Sequence, residues 1–389
     1  MSAPSRYPPA VSIPAAPVPA LTDEHLSFLQ RFGFDELLFE HWRKGLREGW
    51  LSPAKNSIEG DLHPPEPGDI VPLPKRSSPE AMAANVAGED AIRQGELGVV
   101  VLNGGMATRF GGVVKGTVEA LPGRSFLALR AADVARAQTA CEGRIHLFLM
   151  NSFATDEATR AHFAAHENFG LAADQVHHFT QFAAPRLLPT GEVFLDEQGA
   201  ISAYGTGHGD FAPAMRHSGA LAEFLAAGGK TLFVSNVDNL GARISPLLVG
   251  CHALARLSDG IEATVEVAPK WPGDVGGSPY MHDGKLQLVE QIRYPEGFDP
   301  DIVDVFNTNT FHFDARALDR DFALGWYYVE KKVDGQRVVQ VERLIGELSR
   351  FLRAQFLKVK RSGPENRFLP VKTPEDLVAA REEIVELYR

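Results

Sequence analysis

One glycine-rich segment of the 389-residue chain has residue types and spacing that suit the binding of phosphate groups. Asn103-Gly104-Gly105 follows an apolar run that ends at Leu102, and Lys115 lies ten residues after Gly105. Glycines after a strand let backbone N–H groups approach an anion closely, and the lysine could add a positive charge at the same place. A tight turn beside a solvated lysine is the alternative, because the segment matches neither the P-loop nor the dinucleotide-binding fingerprint.

Two further polar residues follow apolar or glycine-rich segments. Asp238 comes soon after the apolar run 231–234, and a carboxylate at the end of a strand could hold Mg²⁺ against a polyphosphate. His208 lies in Gly-Thr-Gly-His-Gly-Asp, and its ring could contact a phosphate or a sugar. Structural roles are the alternatives, since an isolated aspartate more often closes an Asx turn and a histidine can cap a turn.

Two asparagines occur at alternate positions in the segment 306–310. Because side chains alternate along a strand with a period of two, Asn307 and Asn309 are expected to share one face. Carboxamides both donate and accept hydrogen bonds, so a pair of them suits the recognition of a polyol. Asparagine is otherwise depleted in strands, which makes a purely structural role a weak explanation.

The elements that must position these residues alternate along the chain between strands and helices. The predicted strands are apolar runs at 98–102, 145–150, 231–234 and 263–267. The predicted helices between them cover 126–138, 156–167 and 219–227. This alternation predicts an α/β fold with a mixed, mostly parallel sheet between helices. In such sheets ligands bind beyond the carboxyl ends of the strands, where the polar segments follow.

Composition and charge exclude several classes of protein. The 39 lysines and arginines against 50 aspartates and glutamates give a net charge of -11, which argues against non-specific binding to nucleic acid or to an anionic membrane. No apolar run is long enough to span a bilayer. The two cysteines have no metal-ligand spacing, and so few cysteines indicate a reducing, cytoplasmic compartment.

Taken in order, a series of short segments resembles the UTP–glucose-1-phosphate uridylyltransferases (UDP-glucose pyrophosphorylases), especially their eukaryotic-type branch. The resemblance covers about residues 98–377 and is strong because so many weak matches occur in the same order. The segments are Leu102-Asn103-Gly104-Gly105, 149–153, Phe179-Thr180-Gln181 with Pro185-Arg186, Gly207-His208-Gly209-Asp210, Asn236 with 238–241, Gly276-Gly277, 306–309, 331–335 and 367–372.

The resemblance implies a fold and a set of site residues. The fold is a GT-A-like nucleotide-diphospho-sugar transferase core, which agrees with the predicted α/β sheet. The residues implied to bind the nucleotide are Leu102, Asn103, Gly104, Gly105, Gln181 and Gly207. The residues implied to bind the sugar phosphate are His208, Asn236 and Asn309. Lys115 and Lys331 are implied to be the catalytic lysines at the phosphates, and Asp238 is implied to hold Mg²⁺.

The reaction that the resemblance implies is the formation of UDP-glucose and pyrophosphate from UTP and glucose 1-phosphate. A UDP-N-acetylhexosamine pyrophosphorylase and a broad UDP-sugar pyrophosphorylase are the nearest alternatives. A nucleotide-sugar-dependent glycosyltransferase and a nucleotide-sugar sensor are alternatives of a different class. The presence of both Lys115 and Lys331 favours a pyrophosphorylase, because a glycosyltransferase leaves the α-phosphorus intact.

Three regions are expected along the chain. The regions are a flexible proline-rich tail at 1–20, a helical region at 21–96 and a nucleotidyltransferase catalytic domain at 97–389. Within these regions we expect helices at 23–39 and 43–48, a helix capped by Ser78, and one C-terminal helix over 374–388.

A monomer or weak dimer is expected, because only seventeen residues follow Lys372, whereas eukaryotic members continue into a C-terminal β-helix.

Overall fold

The computed structural model of the chain describes residues 21–389, except for the side chains of Ala107 and Thr108. The expected proline-rich tail at 1–20 lies outside the described residues. The helices are α1 (Asp23–Gln30), α2 (Glu36–Glu48), α3 (Pro79–Arg93), α4 (Phe126–Cys141), α5 (Asp156–Ala165), α6 (Phe211–His217), α7 (Ala220–Ala226), α8 (Pro246–Asp259), α9 (Leu348–Phe351), α10 (Pro374–Ala379) and α11 (Arg381–Leu387). Within the described part of the chain, none of them is long and apolar enough to cross a bilayer.

The strands fall into one large sheet and several short pairs. They are β1 (Ile70–Pro72), β2 (Leu97–Asn103), β3 (Met106–Ala107), β4 (Val113–Val114), β5 (Glu119–Leu121), β6 (Arg124–Ser125), β7 (His146–Asn151), β8 (Val176–Thr180), β9 (Ala183–Pro185), β10 (Ala203–Gly205), β11 (Thr231–Asn236), β12 (Ala263–Pro269), β13 (Ser278–His282), β14 (Lys285–Val289), β15 (Val305–Asp314), β16 (Tyr327–Val333), β17 (Gln336–Glu342) and β18 (Ala354–Lys358). Hairpins β13–β14 and β16–β17 lie outside the large sheet.

The large sheet has eight strands in the order β1-β18-β12-β15-β11-β2-β7-β8. All neighbours are parallel except β15, which is antiparallel to both β12 and β11. The predicted α/β fold with a mixed, mostly parallel sheet is therefore confirmed.

Both faces of this sheet are buried, which explains why its central strands are continuous apolar runs. Along β2, Val100 packs in one apolar cluster with Phe148. Its neighbours Val99 and Val101 point the other way and pack in a second cluster with Leu127 of α4. Successive side chains of one strand thus fill two separate cores, and the strand has no polar face.

Part of the predicted helical region is built into this central unit. Strand β1 is the edge strand of the sheet and pairs with β18. The predicted N-cap of α3 is confirmed, because Oγ of Ser78 accepts a hydrogen bond from the Ala81 N–H at 3.2 Å. Helix α3 then packs closely on α8, where a Cβ added at Gly88 would lie 1.9 Å from the carbonyl oxygen of Pro246. The close approach of these two helices requires glycine at that position.

Two of the predicted helices are interrupted. The prediction of a single helix over 23–39 is wrong, because Gly33 has a φ of 66° and ends the helical backbone. Asp35 then starts α2 by accepting a hydrogen bond from the Leu38 N–H at 2.9 Å. The helix expected over 374–388 is likewise divided into α10 and α11.

Candidate functional site

The carboxyl ends of β2, β7 and β11 meet at one edge of the large sheet. The three strands are parallel, and their registers pair Asn103 with Asn151 and Leu102 with Asn236. The glycine-rich segment after β2 and the polar segment after β11 therefore leave the sheet side by side. Open α/β sheets bind their ligands at such a place.

The side chain of Asn103 holds the end of β2 rather than facing a ligand. Its Nδ2 donates hydrogen bonds to Oδ1 of Asn151 and to Oγ1 of Thr159, both at 2.9 Å. Leu102 is buried as well, so residues 104–105 are the first of the segment with solvent-accessible backbone. Contact with a nucleotide would involve these two glycines, and the binding roles of all four residues stay predictions.

The ammonium group of Lys115 lies among aromatic rings and interacts with Asp238. The residue is only 7% exposed, and its Nζ lies 4.0 Å from the ring centroid of Phe110 and 5.0 Å from that of Phe126. Burial lowers the pKa of Lys115, whereas the charges of Asp238 and Asp376 raise it. Among the described residues none accepts a hydrogen bond from this ammonium, so a phosphate could supply the acceptors that it lacks.

Asp238 and Lys372 are held side by side by the backbone. The Val371 N–H donates to the carbonyl oxygen of Asp238 at 2.9 Å. Burial raises the pKa of the Asp238 carboxyl, while the charges of Lys115 and Lys372 lower it. Lys372 has no role in the sequence-based prediction, although it ends the segment 367–372 that contributes to the resemblance. Its position beside Asp238 makes it a third lysine of the candidate site.

A buried ion pair anchors the segment that carries Lys372. Nε and Nη2 of Arg367 donate to the two carboxylate oxygens of Glu266 at 2.9 and 2.8 Å, and Nε2 of His312 lies 3.0 Å from the same carboxylate. Burial alone would raise the pKa of Glu266, but Arg367 and His312 lower it to about 2. The carbonyl oxygen of Arg367 also accepts a hydrogen bond from Nδ2 of Asn239 at 3.1 Å.

Replacing Arg367 by methionine should destabilise the protein strongly. The substitution leaves the carboxylate of Glu266 buried without its cation, and we expect the free energy of unfolding to fall by about 3–5 kcal/mol. Denaturant unfolding at pH 7 measures this. The control is Arg320→Met. Nη2 of the exposed Arg320 lies 3.5 Å from Oε2 of Glu262, and losing this ion pair should lower the free energy of unfolding by less than about 1 kcal/mol. Equal, small losses in both variants would contradict an anchoring role.

The carboxamide of Gln181 lies between two glycines. A Cβ at Gly205 would lie 1.8 Å from its Nε2, and a Cβ at Gly104 would lie 2.7 Å from the same atom. The backbone N–H of Gln181 donates to the carbonyl oxygen of Asn151 at 2.8 Å, at the end of β7. Packing therefore fixes a group that presents one donor and one acceptor, as the N3–H and O4 of a uracil base would require.

His208 and the glycine before it are fixed by a neighbouring backbone segment. The Ile345 N–H donates to Nδ1 of His208 at 3.0 Å, so the neutral ring carries its proton on Nε2. Burial lowers the pKa of His208 to about 4, and the ring is neutral at pH 7. Gly207 has a φ of 99°, and a Cβ there would lie 2.4 Å from the carbonyl oxygen of Arg343. The ring thus has a structural contact and one N–H left for a ligand.

The carboxamides of Asn236 and Asn309 come together at the end of β11. Nδ2 of Asn309 donates to Oδ1 of Asn236 at 2.8 Å. The register of β15 against β12 shifts between Glu266 and Val267, and Asn309 has a φ of 54° in the resulting bulge. The bulge interrupts the two-residue alternation, and the two carboxamides have different partners, Glu290 for Asn307 and Asn236 for Asn309. Their sharing of one face stays a prediction. Oδ1 of Asn307 accepts from the backbone N–H of Asn309 at 2.8 Å.

Glu290 is a candidate site residue that the sequence-based prediction missed. Nδ2 of Asn307 donates to its Oε1 at 3.4 Å, and a Cβ at Gly277 would lie 2.8 Å from its Oε2. Burial raises the pKa of Glu290 to about 7. A carboxyl group whose pKa is raised in this way is a candidate for contact with a ligand. A single glutamate after a strand carries no signal of this in the sequence.

Lys331 lies apart from the other lysines of the site. It is exposed on β16 of the β16–β17 hairpin. Burial raises the pKa of Glu342, and the charge of Lys331 lowers it. The charges of Lys115 and Asp238 act on each other, whereas Lys331 lies on a hairpin outside the large sheet.

Asp238 is the residue at this edge that suits a metal ion. Among residues 21–389, as far as they are described, no group of three or more His, Cys, Asp or Glu side chains could hold a metal ion. Mg²⁺ does not need such a group, because one or two carboxylates, water molecules and substrate phosphates usually bind it. A single carboxylate near Lys115 and Lys372 fits a cation that is bound together with a polyphosphate.

Comparison with known proteins gives the family. The family model described as UTP–glucose-1-phosphate uridylyltransferase matches residues 55–389. The chain belongs to the UTP–glucose-1-phosphate uridylyltransferase family. The matched residues of this uridylyltransferase family member include every residue of the candidate site. The UTP–glucose-1-phosphate uridylyltransferase of Astragalus penduliflorus is 31% identical over 305 residues, which are 74% of this chain and 62% of that protein. The chain thus spans about three-fifths of the length of the curated relatives that it matches.

Solved structures of two pyrophosphorylases share the fold of this uridylyltransferase family member. A uridine diphosphate N-acetylglucosamine pyrophosphorylase from Trypanosoma brucei has a TM-score of 0.75 and 21% identity, and the match covers 92% of this chain and 79% of that one. A UDP-glucose pyrophosphorylase variant from Leishmania major, in complex with UDP-glucose, has a TM-score of 0.71 and 24% identity, over 93% and 79%. At these identities the likeness concerns the fold alone, and it confirms the expected nucleotide-diphospho-sugar transferase core.

Proposed function

We propose that this family member transfers a uridylyl group from UTP to glucose 1-phosphate, with UDP-glucose and pyrophosphate as products. One observation carries the proposal: the side chain of Lys115 is only 7% exposed, the charge of Asp238 supports its ammonium, and that ammonium has no hydrogen-bond acceptor among the described residues. A positive charge held in this way suits a polyphosphate. Family membership supports the choice of UTP and glucose 1-phosphate as substrates.

In the proposed reaction, a phosphate oxygen of the sugar phosphate attacks the α-phosphorus of UTP. A bond forms between these two atoms, and the bond from the α-phosphorus to the oxygen that bridges to the β-phosphorus breaks. Pyrophosphate leaves with that electron pair. The protein supplies no nucleophile, so it acts by positioning the substrates and neutralising charge. Lys115, Lys372 and Lys331 would bind phosphate oxygens.

Asp238 would hold Mg²⁺ in this site. When bound, the ion would neutralise charge on the phosphate oxygens and orient them. The carboxylate of Asp238 also supports the positive charge of Lys115, because its own charge raises the pKa of that lysine. Asp238 therefore has two functions in the proposal, as a metal ligand and as the counter-ion of a catalytic lysine.

The residues assigned to the two substrates form two groups. Gln181 and the backbone at Gly207 would contact the uracil, and Gly104 and Gly105 would contact the rest of the nucleotide. Hydrogen-bonding groups suited to the hydroxyl and phosphate oxygens of a sugar phosphate would complete the site. These groups belong to His208, Asn236, Asn309 and Glu290.

We expect glucose 1-phosphate to be preferred over N-acetylglucosamine 1-phosphate by at least about 10-fold in kcat/KM. An N-acetyl group needs added space at C2, and the segments around His208 and Asn309 resemble those of the glucose branch. The measurement is pyrophosphate release with UTP and each sugar 1-phosphate, with UTP alone as the control for hydrolysis. A preference for the N-acetyl sugar would instead indicate a UDP-N-acetylhexosamine pyrophosphorylase, and equal rates with several sugars would indicate a broad enzyme.

A further inference from the structure

Asp210 is a fully buried carboxylate that joins three separate segments of the chain. Its Oδ2 accepts hydrogen bonds from the Phe182 N–H at 3.2 Å and from Oγ1 of Thr206 at 2.5 Å. Its Oδ1 accepts from Nε and Nη2 of Arg343 at 2.9 and 2.5 Å. All of these bonds are charge-assisted, and the arginine uses two donors at once.

The backbone of Arg343 reinforces the same junction. Its N–H donates to the carbonyl oxygen of Thr206 at 2.9 Å, and its carbonyl oxygen accepts from the Gly209 N–H at 2.9 Å. The guanidinium carbon lies 4.2 Å from the ring centroid of Trp326 and 5.7 Å from that of Phe182. The guanidinium is therefore fixed by the carboxylate and by aromatic rings, and little freedom remains in its position.

The segments joined in this way carry the groups that we assign to the uracil. Phe182 directly follows Gln181, whose carboxamide is packed between two glycines. Thr206 directly precedes Gly207, whose backbone packs against Arg343. The Thr206 N–H also donates to the carbonyl oxygen of Phe182 at 3.1 Å. The Asp210–Arg343 contact therefore acts together with this backbone bond on the spacing between Gln181 and Gly207.

We propose that the Asp210–Arg343 ion pair is a positioning pair that sets the base specificity of the enzyme. The inference rests on the proposed function. Uracil presents O4 as an acceptor and N3–H as a donor, whereas cytosine presents the reverse pair, an amino donor and an N3 acceptor. A carboxamide can satisfy either base if it is free to rotate. Gly104 and Gly205 pack against the carboxamide of Gln181, and the ion pair holds the backbone of the next residue, Phe182. Together they would restrict that rotation and limit the site to uracil.

The test measures the binding of UTP and CTP by calorimetry, together with kcat and KM for both nucleotides with glucose 1-phosphate. The variants are Arg343→Gln, Arg343→Lys and Asp210→Asn. Arg343→Gln and Asp210→Asn should weaken UTP binding by about 10-fold and lower the UTP-to-CTP affinity ratio by about 10-fold, because small displacements of a contact group have large effects. The maximal rate with UTP should change by less than about 3-fold, since the reacting phosphates are held elsewhere. Arg343→Lys keeps the charge but not the two-donor contact, and its affinity ratio should be intermediate.

The matched control is Arg337→Gln. Arg337 lies on β17, just before Arg343 in the sequence, and forms an exposed ion pair with Glu330 of β16. This substitution should leave the affinity ratio unchanged. An unchanged ratio in folded Arg343→Gln would overturn the inference, as would an equal loss of affinity for both nucleotides in all three variants. If Arg343→Gln does not fold, Arg343→Lys decides between the same two outcomes. Failure of the proposed function would give a different result. The wild-type protein would then bind UTP more tightly than CTP but would not convert UTP to product.

Discussion

Lys115→Met should lower kcat with UTP and glucose 1-phosphate by at least about 100-fold, which corresponds to roughly 3 kcal/mol of transition-state stabilisation. The ammonium lies against the rings of Phe110 and Phe126 on a side chain that is mostly buried, so water screens its interaction with a phosphate oxygen less than at an open surface. Methionine keeps most of the apolar contacts of the side chain and removes the ammonium group, with its charge and its hydrogen-bond donors. Steady-state kinetics with saturating UTP measure the effect.

The matched control is Lys230→Met at the opposite end of the sheet. Lys230 lies directly before β11 and pairs with Glu96, whereas the candidate site lies after the carboxyl end of the same strand. It should keep wild-type turnover and lose only the small energy of an exposed ion pair. A turnover of Lys115→Met close to that of Lys230→Met would remove Lys115 from the mechanism.

Asp238→Asn should lower turnover by at least about 100-fold and raise the Mg²⁺ concentration needed for half of the residual activity. The substitution preserves the shape of the side chain but removes an anionic ligand and the charge that supports Lys115. A titration of activity against Mg²⁺ at fixed UTP measures both effects. The control is Asp314→Asn, at the end of β15 that pairs with the start of β11.

A different result would restore the structural explanation of Asp238. If Asp238→Asn turns over like Asp314→Asn and needs no more Mg²⁺ than the wild type, the carboxylate only closes a turn. An effect on folding alone would appear as lost thermal stability with normal turnover in the folded fraction. The two measurements together separate a metal ligand from a turn residue.

The large sheet could be predicted from the sequence because its strands are buried on both faces. A strand without a polar face is a continuous apolar run, and such runs predicted 98–102 and 263–267 within two residues of β2 and β12. The interruption of the first helix at Gly33 was missed, although a Cβ at that glycine would lie only 2.4 Å from the ring of Phe182. The neighbour that excludes a side chain there is far away in the sequence.

The candidate site could be predicted only where local sequence carries the signal. Glycines after a strand and a strand-end aspartate led to Gly104, Lys115 and Asp238, and the structure brings these segments to one edge of the sheet. The ion pairs that hold the site have no such signal, because Arg343 is 133 positions from Asp210. Nothing in a single sequence indicates which of many arginines pairs with a given carboxylate.

Some expectations from the sequence stay predictions. The binding roles of Gln181, Gly207, His208, Asn236 and Asn309 rest on the resemblance together with the geometry of their segments. The cytoplasmic location and the monomeric or weakly dimeric state are also untested. The catalytic role of Lys331 also stays a prediction. This lysine is exposed on the β16–β17 hairpin, where its charge lowers the pKa of Glu342.

Uridylyl transfer by the purified chain is tested by the stoichiometry of its reaction with UTP, glucose 1-phosphate and Mg²⁺. Phosphorus NMR follows all four phosphorylated compounds in one sample. We expect UDP-glucose and pyrophosphate to appear in equal amounts and neither to form without glucose 1-phosphate. Added pyrophosphate should drive UDP-glucose back to UTP. Binding of UDP-glucose without any exchange of pyrophosphate, or release of phosphate from UTP without UDP-glucose, would contradict uridylyl transfer.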